Sequence, residues 1–179
     1  MKSAVVGLLT GPVGVGKTTI IERVVGLARS QGIRCGGLLS PAIKDSCGQK
    51  VGIWGVDILT GERRIQARTD RELGGPTIGP YSFDAGALDW ALEVLEKALG
   101  ACDLLIVDEI GKMELWQGIG LAPIVPRLAA GEADRALVLV RDHLLTDLQS
   151  RLAPVEQRVF AASLETRDSL PAQVLSGMV

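Results

Sequence analysis

"GPVGVGKT", residues 11–18, is the stretch from which the rest of the chain is read. It matches G-x-x-x-x-G-K-[ST], a spacing that turns successive backbone N–H groups toward phosphate oxygens. Gly11, Gly14 and Gly16 let the backbone curl where side chains would clash. Pro12, Val13 and Val15 occupy the positions between them. Lys17 supplies a point charge for the terminal phosphates, and the Thr18 hydroxyl can ligate Mg2+. With Thr19, residues 11–19 form the expected nucleotide-binding segment. The alternative is a glycine-rich turn that only joins two elements.

The flanks favour the first reading. "SAVVGLL", residues 3–9, reads as a short buried strand. "KTTIIERVVGLARSQG" has helical spacing, with Ile20, Ile21, Val24, Val25 and Ala28 on one side and Gly32 as the stop. The loop therefore sits between a strand and a helix, whose N-terminal dipole end adds to the attraction for anions.

Further along, "IRCGGLLS" returns to strand character, and "KVGIWGVDIL" and "RRIQAR" flank a "TGE" turn as an antiparallel hairpin. Residues 71–83 are rich in glycine and proline and read as irregular. Asp84 can cap a helix over "AGALDWALEVLEKALGA", whose apolar stripe is Leu88, Ala91, Leu92, Leu95 and Leu99. The strand "DLLIVDE" follows. A helix near 121–130, a strand at 135–141, a helix at 144–152, the strand "RVFAA" and a last helix complete the chain. Such alternation predicts an α/β fold, a largely parallel sheet covered on both faces, with the antiparallel hairpin inserted. No linker divides it, so residues 1–179 are expected to form a single domain.

Composition narrows the function. At 179 residues and 47% hydrophobic content, a sizeable core is available. A net charge of −2 and 3% aromatic residues give no basis for nucleic-acid binding, and no apolar run is long enough to span a membrane. Cys35, Cys47 and Cys102 have neither CxxC spacing nor a histidine cluster, since His143 is the only histidine. Reduced thiols in a cytoplasmic protein are expected.

A phosphate loop that works with Mg2+ needs a second acidic group, usually at the end of a neighbouring buried strand. "LLIVDEIGKMEL", residues 104–115, provides it. Asp108 is the expected metal-side carboxylate. Glu109, next along the strand and so on the opposite face of the pleat, could orient or deprotonate an attacking water; the alternative is a cap or surface ion pair. Lys112 could reach a transition-state oxygen or pair with Glu114.

Together, "GPVGVGKTT" and "VDEIGKMEL" resemble a family of small nucleoside-triphosphatases. It is found in thermophilic prokaryotes and called cancer-related nucleoside-triphosphatase in animals. Weaker similarities include "GGLLSPAI", "GQKVGIWGVDILTGERR", "IGPYSFD" and "TRDSLP". The family tends to have lysine at the position of Pro80 and asparagine at that of Thr166, and many members carry charges where residues 36–43 have none. The resemblance implies a RecA-like three-layer sandwich. It also implies Mg2+-dependent hydrolysis of ATP, GTP and other nucleoside triphosphates to the diphosphate.

Other positions have two readings each. Arg141 ends a strand, where it could stabilise transition-state charge or be merely solvated. Arg167 could stack on a base or lie at the surface. Trp54, Trp90 and Trp116 are expected to be packing groups, Trp116 being the one expected to line the site if any does. Two further functions remain open. A small-molecule or nucleotide kinase could use Arg63, Arg64, Arg68 and Arg71 as a lid or acceptor site. A nucleotide-dependent switch is the other, although the chain has no asparagine and so no N-K-x-D guanine element. Protein partners are not indicated. Lys17→Ala is expected to abolish nucleotide turnover; undiminished phosphate release would refute the phosphate-loop reading.

Overall fold

A computed structural model describes residues 4–179, so Ser3, the expected first residue of the leading strand, lies outside the described residues. The described strand β1 spans Val5–Thr10, and α1 follows the glycine-rich loop over Lys17–Ser30. The remaining strands are β2 (Cys35–Leu39), β3 (Ala42–Lys44), β4 (Lys50–Asp57), β5 (Arg63–Arg68), β6 (Thr77–Ile78), β7 (Tyr81–Phe83), β8 (Leu104–Ile110), β9 (Arg135–Val140) and β10 (Glu156–Ala161). The remaining helices are α2 (Ala85–Ala98), α3 (Lys112–Gln117), α4 (Ile124–Ala129), α5 (Leu145–Arg151) and α6 (Leu170–Met178).

One sheet holds all the strands, in the order β10-β1-β9-β8-β2-β4-β5-β7-β6, with β3 paired to β4. The five strands from β10 to β2 are parallel, and each later pairing is antiparallel. The parallel strands alternate their side chains between two cores, because successive Cβ atoms point to opposite faces. On β9, Ala136, Val138 and Val140 face one core and Leu137 and Leu139 the other. On β8, Leu105 and Val107 oppose Leu104 and Ile106 in the same way. Helices α2 to α5 cover the first face, and α1 and α6 cover the second, giving the three-layer α/β sandwich.

The helical stripes are placed as their spacing predicts. Ile20, Ile21, Val24, Val25 and Ala28 are all buried on α1. The Asp84 carboxylate accepts a hydrogen bond from the Ala87 N–H at 2.7 Å and caps α2. Of the α2 stripe, Leu88, Ala91 and Leu95 are buried, while Leu92 and Leu99 are partly so.

The insertion is larger than a hairpin. Strands β3 to β7 form an antiparallel extension of the sheet, and β6 and β7 lie within the segment expected to be irregular. Strands of two and three residues are too short to display a period of two, and their pairing comes from β5, where Ala67 and Arg68 register with Phe83 and Ser82. The six-residue α3 escapes sequence reading for the same reason of length. Ile106 is fully buried at the centre of the second core. Ile106→Ala is expected to cost about 2–5 kcal/mol of stability, measured by urea unfolding.

Candidate active site

The parallel strands end on a common edge, and their ends bring the polar groups together. Thr10 ends β1, Ser40 follows β2, Asp108 and Glu109 lie at the end of β8, and Arg141 and Asp142 follow β9. The loop between β1 and α1 curls over this edge. Gly11 has φ 146°, and a Cβ there would lie 2.6 Å from the Ala162 carbonyl oxygen, so only glycine lets the loop pass β10. Val15 is buried and anchors the loop, whereas Val13 at its crest is exposed. No side chain caps α1, so its first N–H groups remain for an anion.

Lys17 donates from Nζ to the carbonyl oxygens of Gly11 at 2.6 Å and Pro12 at 2.9 Å. Burial lowers its pKa, against the opposing pull of the Glu109 and Asp142 carboxylates. The Thr18 hydroxyl donates to Asp108 Oδ2 at 3.1 Å, and the Ser40 N–H donates to the same oxygen at 2.9 Å. The Ser40 hydroxyl also donates to the Asp108 carbonyl. Asp108 is 2% exposed. Burial pushes its pKa up to about 7, the Ser40 N–H opposing this and the Glu109 charge adding to it. A carboxylate this buried, with neutral donors as its hydrogen-bond partners, fits a site for a divalent cation. Among the described residues no three His, Cys, Asp or Glu side chains cluster. Mg2+ bound to a triphosphate needs fewer: it keeps waters and takes phosphate oxygens, with one or two protein ligands.

Glu109 is half-buried, and its Oε1 accepts from Arg141 Nε at 3.1 Å. It does not face away from Asp108 as strand alternation predicts. Pairing with β9 shifts register between Val107 and Ile110, and both carboxylates line one cavity of about 200 Å³. Thr10 donates to Asp142 Oδ1 at 2.5 Å, which ties the ends of β1 and β9 together.

In the rest of the acidic string the expected Lys112–Glu114 pair is not formed, and Lys112 lines the same cavity as Asp108 and Glu109. Glu114 is buried and accepts from the Gly111 N–H at 2.9 Å and the Leu121 N–H at 3.3 Å. It thus holds the turn before α3 to the segment after it. Lys112 does not pair with it; the lysine Nζ lies 5.1 Å from the centroid of the Trp116 ring. Trp116 is 60% exposed and supports Lys112 rather than lining the cavity.

Arg167 stands on the turn after β10, exposed and separated from the acidic pair by β1 and β9. Three of the four arginines around the hairpin are engaged locally. Arg63 stacks on Trp54, Arg64 stacks on Trp90 and pairs with Glu62, and Arg68 pairs with Asp70. None of them lines the cavity that holds Asp108 and Glu109; Lys50, Gln66 and Tyr81 do. Sequence reasoning missed these three and Ser40. Ser40 carried a signal, a hydroxyl directly after an apolar strand, whereas Lys50 and Gln66 depend on how the insertion folds back.

The family model described as NTPase matches residues 7–175. The nucleoside-triphosphatase THEP1 of Methanopyrus kandleri is 31% identical over 172 residues, covering 94% of this chain and 92% of that protein. THEP1 of Methanothermobacter thermautotrophicus is 31% identical over 169 residues, covering 94% and 92%. Among solved structures, THEP1 of Aquifex aeolicus superposes with a TM-score of 0.77 at 20% identity, covering 97% of this chain and 98% of that one. A human cancer-related nucleoside triphosphatase does so with a TM-score of 0.71 at 25% identity, covering 97% of each chain.

Burial raises the pKa of Glu114 above its ordinary 4.5. The folded protein then binds more protons than the unfolded chain above that pH, so this group's contribution falls as pH rises through the raised pKa. Comparing the wild type with Glu114→Gln by urea unfolding from pH 4 upward isolates that slope, which should vanish in the variant. Glu114→Ala, which strips two N–H groups of their acceptor, is expected to cost about 1–3 kcal/mol.

Proposed function

The chain belongs to the NTPase family, and from that membership we infer that it hydrolyses nucleoside triphosphates where the glycine-rich loop meets the acidic end of β8. The observation that carries the assignment of residues is the Thr18–Asp108 contact of 3.1 Å. It joins loop and acidic strand across 90 positions of sequence, with Glu109 on the same cavity.

In this reading the N–H groups of residues 11–19 and the start of α1 hold the phosphates, and Lys17 leaves its own loop carbonyls for the β- and γ-oxygens. Thr18 and Asp108 would hold Mg2+, which when bound offsets charge on the triphosphate. Glu109 prepares the water. Its Oε1 is held by Arg141, and Oε2 has no protein partner among the described residues, so a proton-accepting oxygen remains for the nucleophile. Arg141 fixes the carboxylate and sets a guanidinium beside the charge that develops on the γ-phosphoryl group. Arg167 lies on the loop side away from the acidic pair, a position compatible with contact to the nucleoside.

The substrates proposed are ATP, GTP and other triphosphates, since no base-reading element is identified. No helix among the described residues is long and apolar enough to cross a membrane. With three free cysteines, a cytoplasmic site of action is the reading we favour.

Phosphate release from each common triphosphate, with and without Mg2+, tests the proposal. Glu109→Gln should bind nucleotide as the wild type does while phosphate release falls by about 10²–10⁴-fold. Full activity in that variant would remove Glu109 from its role.

A further inference from the structure

The cavity beside Glu109 is larger and less polar than a water site requires. It runs from Asp108, Glu109 and Arg141 into the antiparallel extension, where Ile53, Ile78, Tyr81 and Phe83 give it apolar walls. Water needs no such walls.

Three side chains along the cavity point to an organic occupant. Gln66 is 95% buried by its 5% exposure and lines the cavity, yet its side-chain amide has no hydrogen-bond partner among the described residues. The amide keeps contact with the open cavity, so it can bond a ligand oxygen. The amide lies over Gly55, where a Cβ would stand 2.7 Å from Gln66 Nε2, so the strand leaves room for it. Lys50 and Lys112 also line the cavity and have no carboxylate within salt-bridge distance among the described residues. Each is held on an aromatic ring instead, Lys50 at 5.3 Å from the Tyr81 centroid and Lys112 at 5.1 Å from that of Trp116. Two lysines free of acidic partners suit an anionic group. At about 200 Å³ the cavity lies below the ~300 Å³ at which sites for drug-sized ligands begin, which suits a small acceptor.

We propose that this cavity is an acceptor site for a small hydroxycarboxylate with an apolar body, and that the protein transfers the γ-phosphoryl group to its hydroxyl. The inference rests on the nucleotide site assigned above. The acceptor carboxylate lies toward Lys50 or Lys112, its apolar body between Ile53 and Phe83, and its hydroxyl beside Glu109. The hydroxyl oxygen forms a bond to the γ-phosphorus as the bond to the β–γ bridging oxygen breaks. That electron pair leaves with the nucleoside diphosphate, and the hydroxyl proton passes to Glu109. Hydrolysis is the same displacement with water in the acceptor's place. The arginines of the hairpin take no part, because none of them reaches this cavity.

The test measures ADP and inorganic phosphate separately in reactions of ATP and Mg2+ with no addition, or with mandelate, 3-phenyllactate or 3-hydroxybutyrate. ADP in excess of phosphate with at least one hydroxy acid, balanced by its phosphate ester, is the expected result. Gln66→Leu should lower that excess by about tenfold while leaving ADP formation without acid close to wild type. Equal ADP and phosphate in every arm overturns the acceptor site and leaves the hydrolase reading standing. Undiminished transfer by Gln66→Leu overturns the placement in this cavity. Absence of ADP in every arm fails the nucleotide site itself.

Discussion

A carboxylate buried at the end of a parallel strand is the constraint around which the working edge is arranged. Asp108 has a hydroxyl and a backbone N–H as hydrogen-bond partners, and burial keeps its pKa near 7. Removing a charge from water is expensive unless partners are supplied from nearby. The partners come from two other segments, Thr18 at the start of α1 and Ser40 after β2, and meet Asp108 at the end of β8. Each must be in register for the others to reach. Sheet order supplies that register, since β2 and β8 are parallel neighbours with Leu38 opposite Val107.

The antiparallel extension acts at the same edge. Strands β3 to β7 widen the sheet beyond β2 and fold a wall over the cavity that holds the two carboxylates. Glu114 performs a comparable service from the other side. It is a carboxylate used as a structural acceptor, tying the Gly111 turn to Leu121 and fixing the segment that presents Lys112. The charge concentrated in "DEIGKMEL" is thus divided among Asp108 inside the fold, Glu109 on the cavity beside Arg141, Lys112 over an aromatic ring and Glu114 in a buried turn.

How much of this was legible in the sequence varied with the length over which a signal is written. The strand–loop–helix unit around residues 11–18 and the apolar faces of α1 and α2 repeat over a dozen residues, and the structure places them as their periods require. The paired carboxylates after "LLIV" were legible as a site because buried strands rarely end in charge. Their shared orientation was not legible, for it depends on a register shift against β9. Strands β6 and β7 and helix α3 were too short to be written as a pattern.

The sequence by itself determined the phosphate loop, the parallel α/β layering and the two acidic residues, because each follows from local spacing and hydrophobic period. Only the tertiary structure decided which groups share the cavity. Ser40, Lys50 and Gln66 meet Asp108 and Glu109 there through strand order and the fold of the insertion. The hairpin arginines, which looked suited to that place, are turned instead to Trp54, Trp90 and nearby carboxylates. The reason is that contacts across a sheet are made between residues far apart in the chain, and no local pattern records which of them will be neighbours.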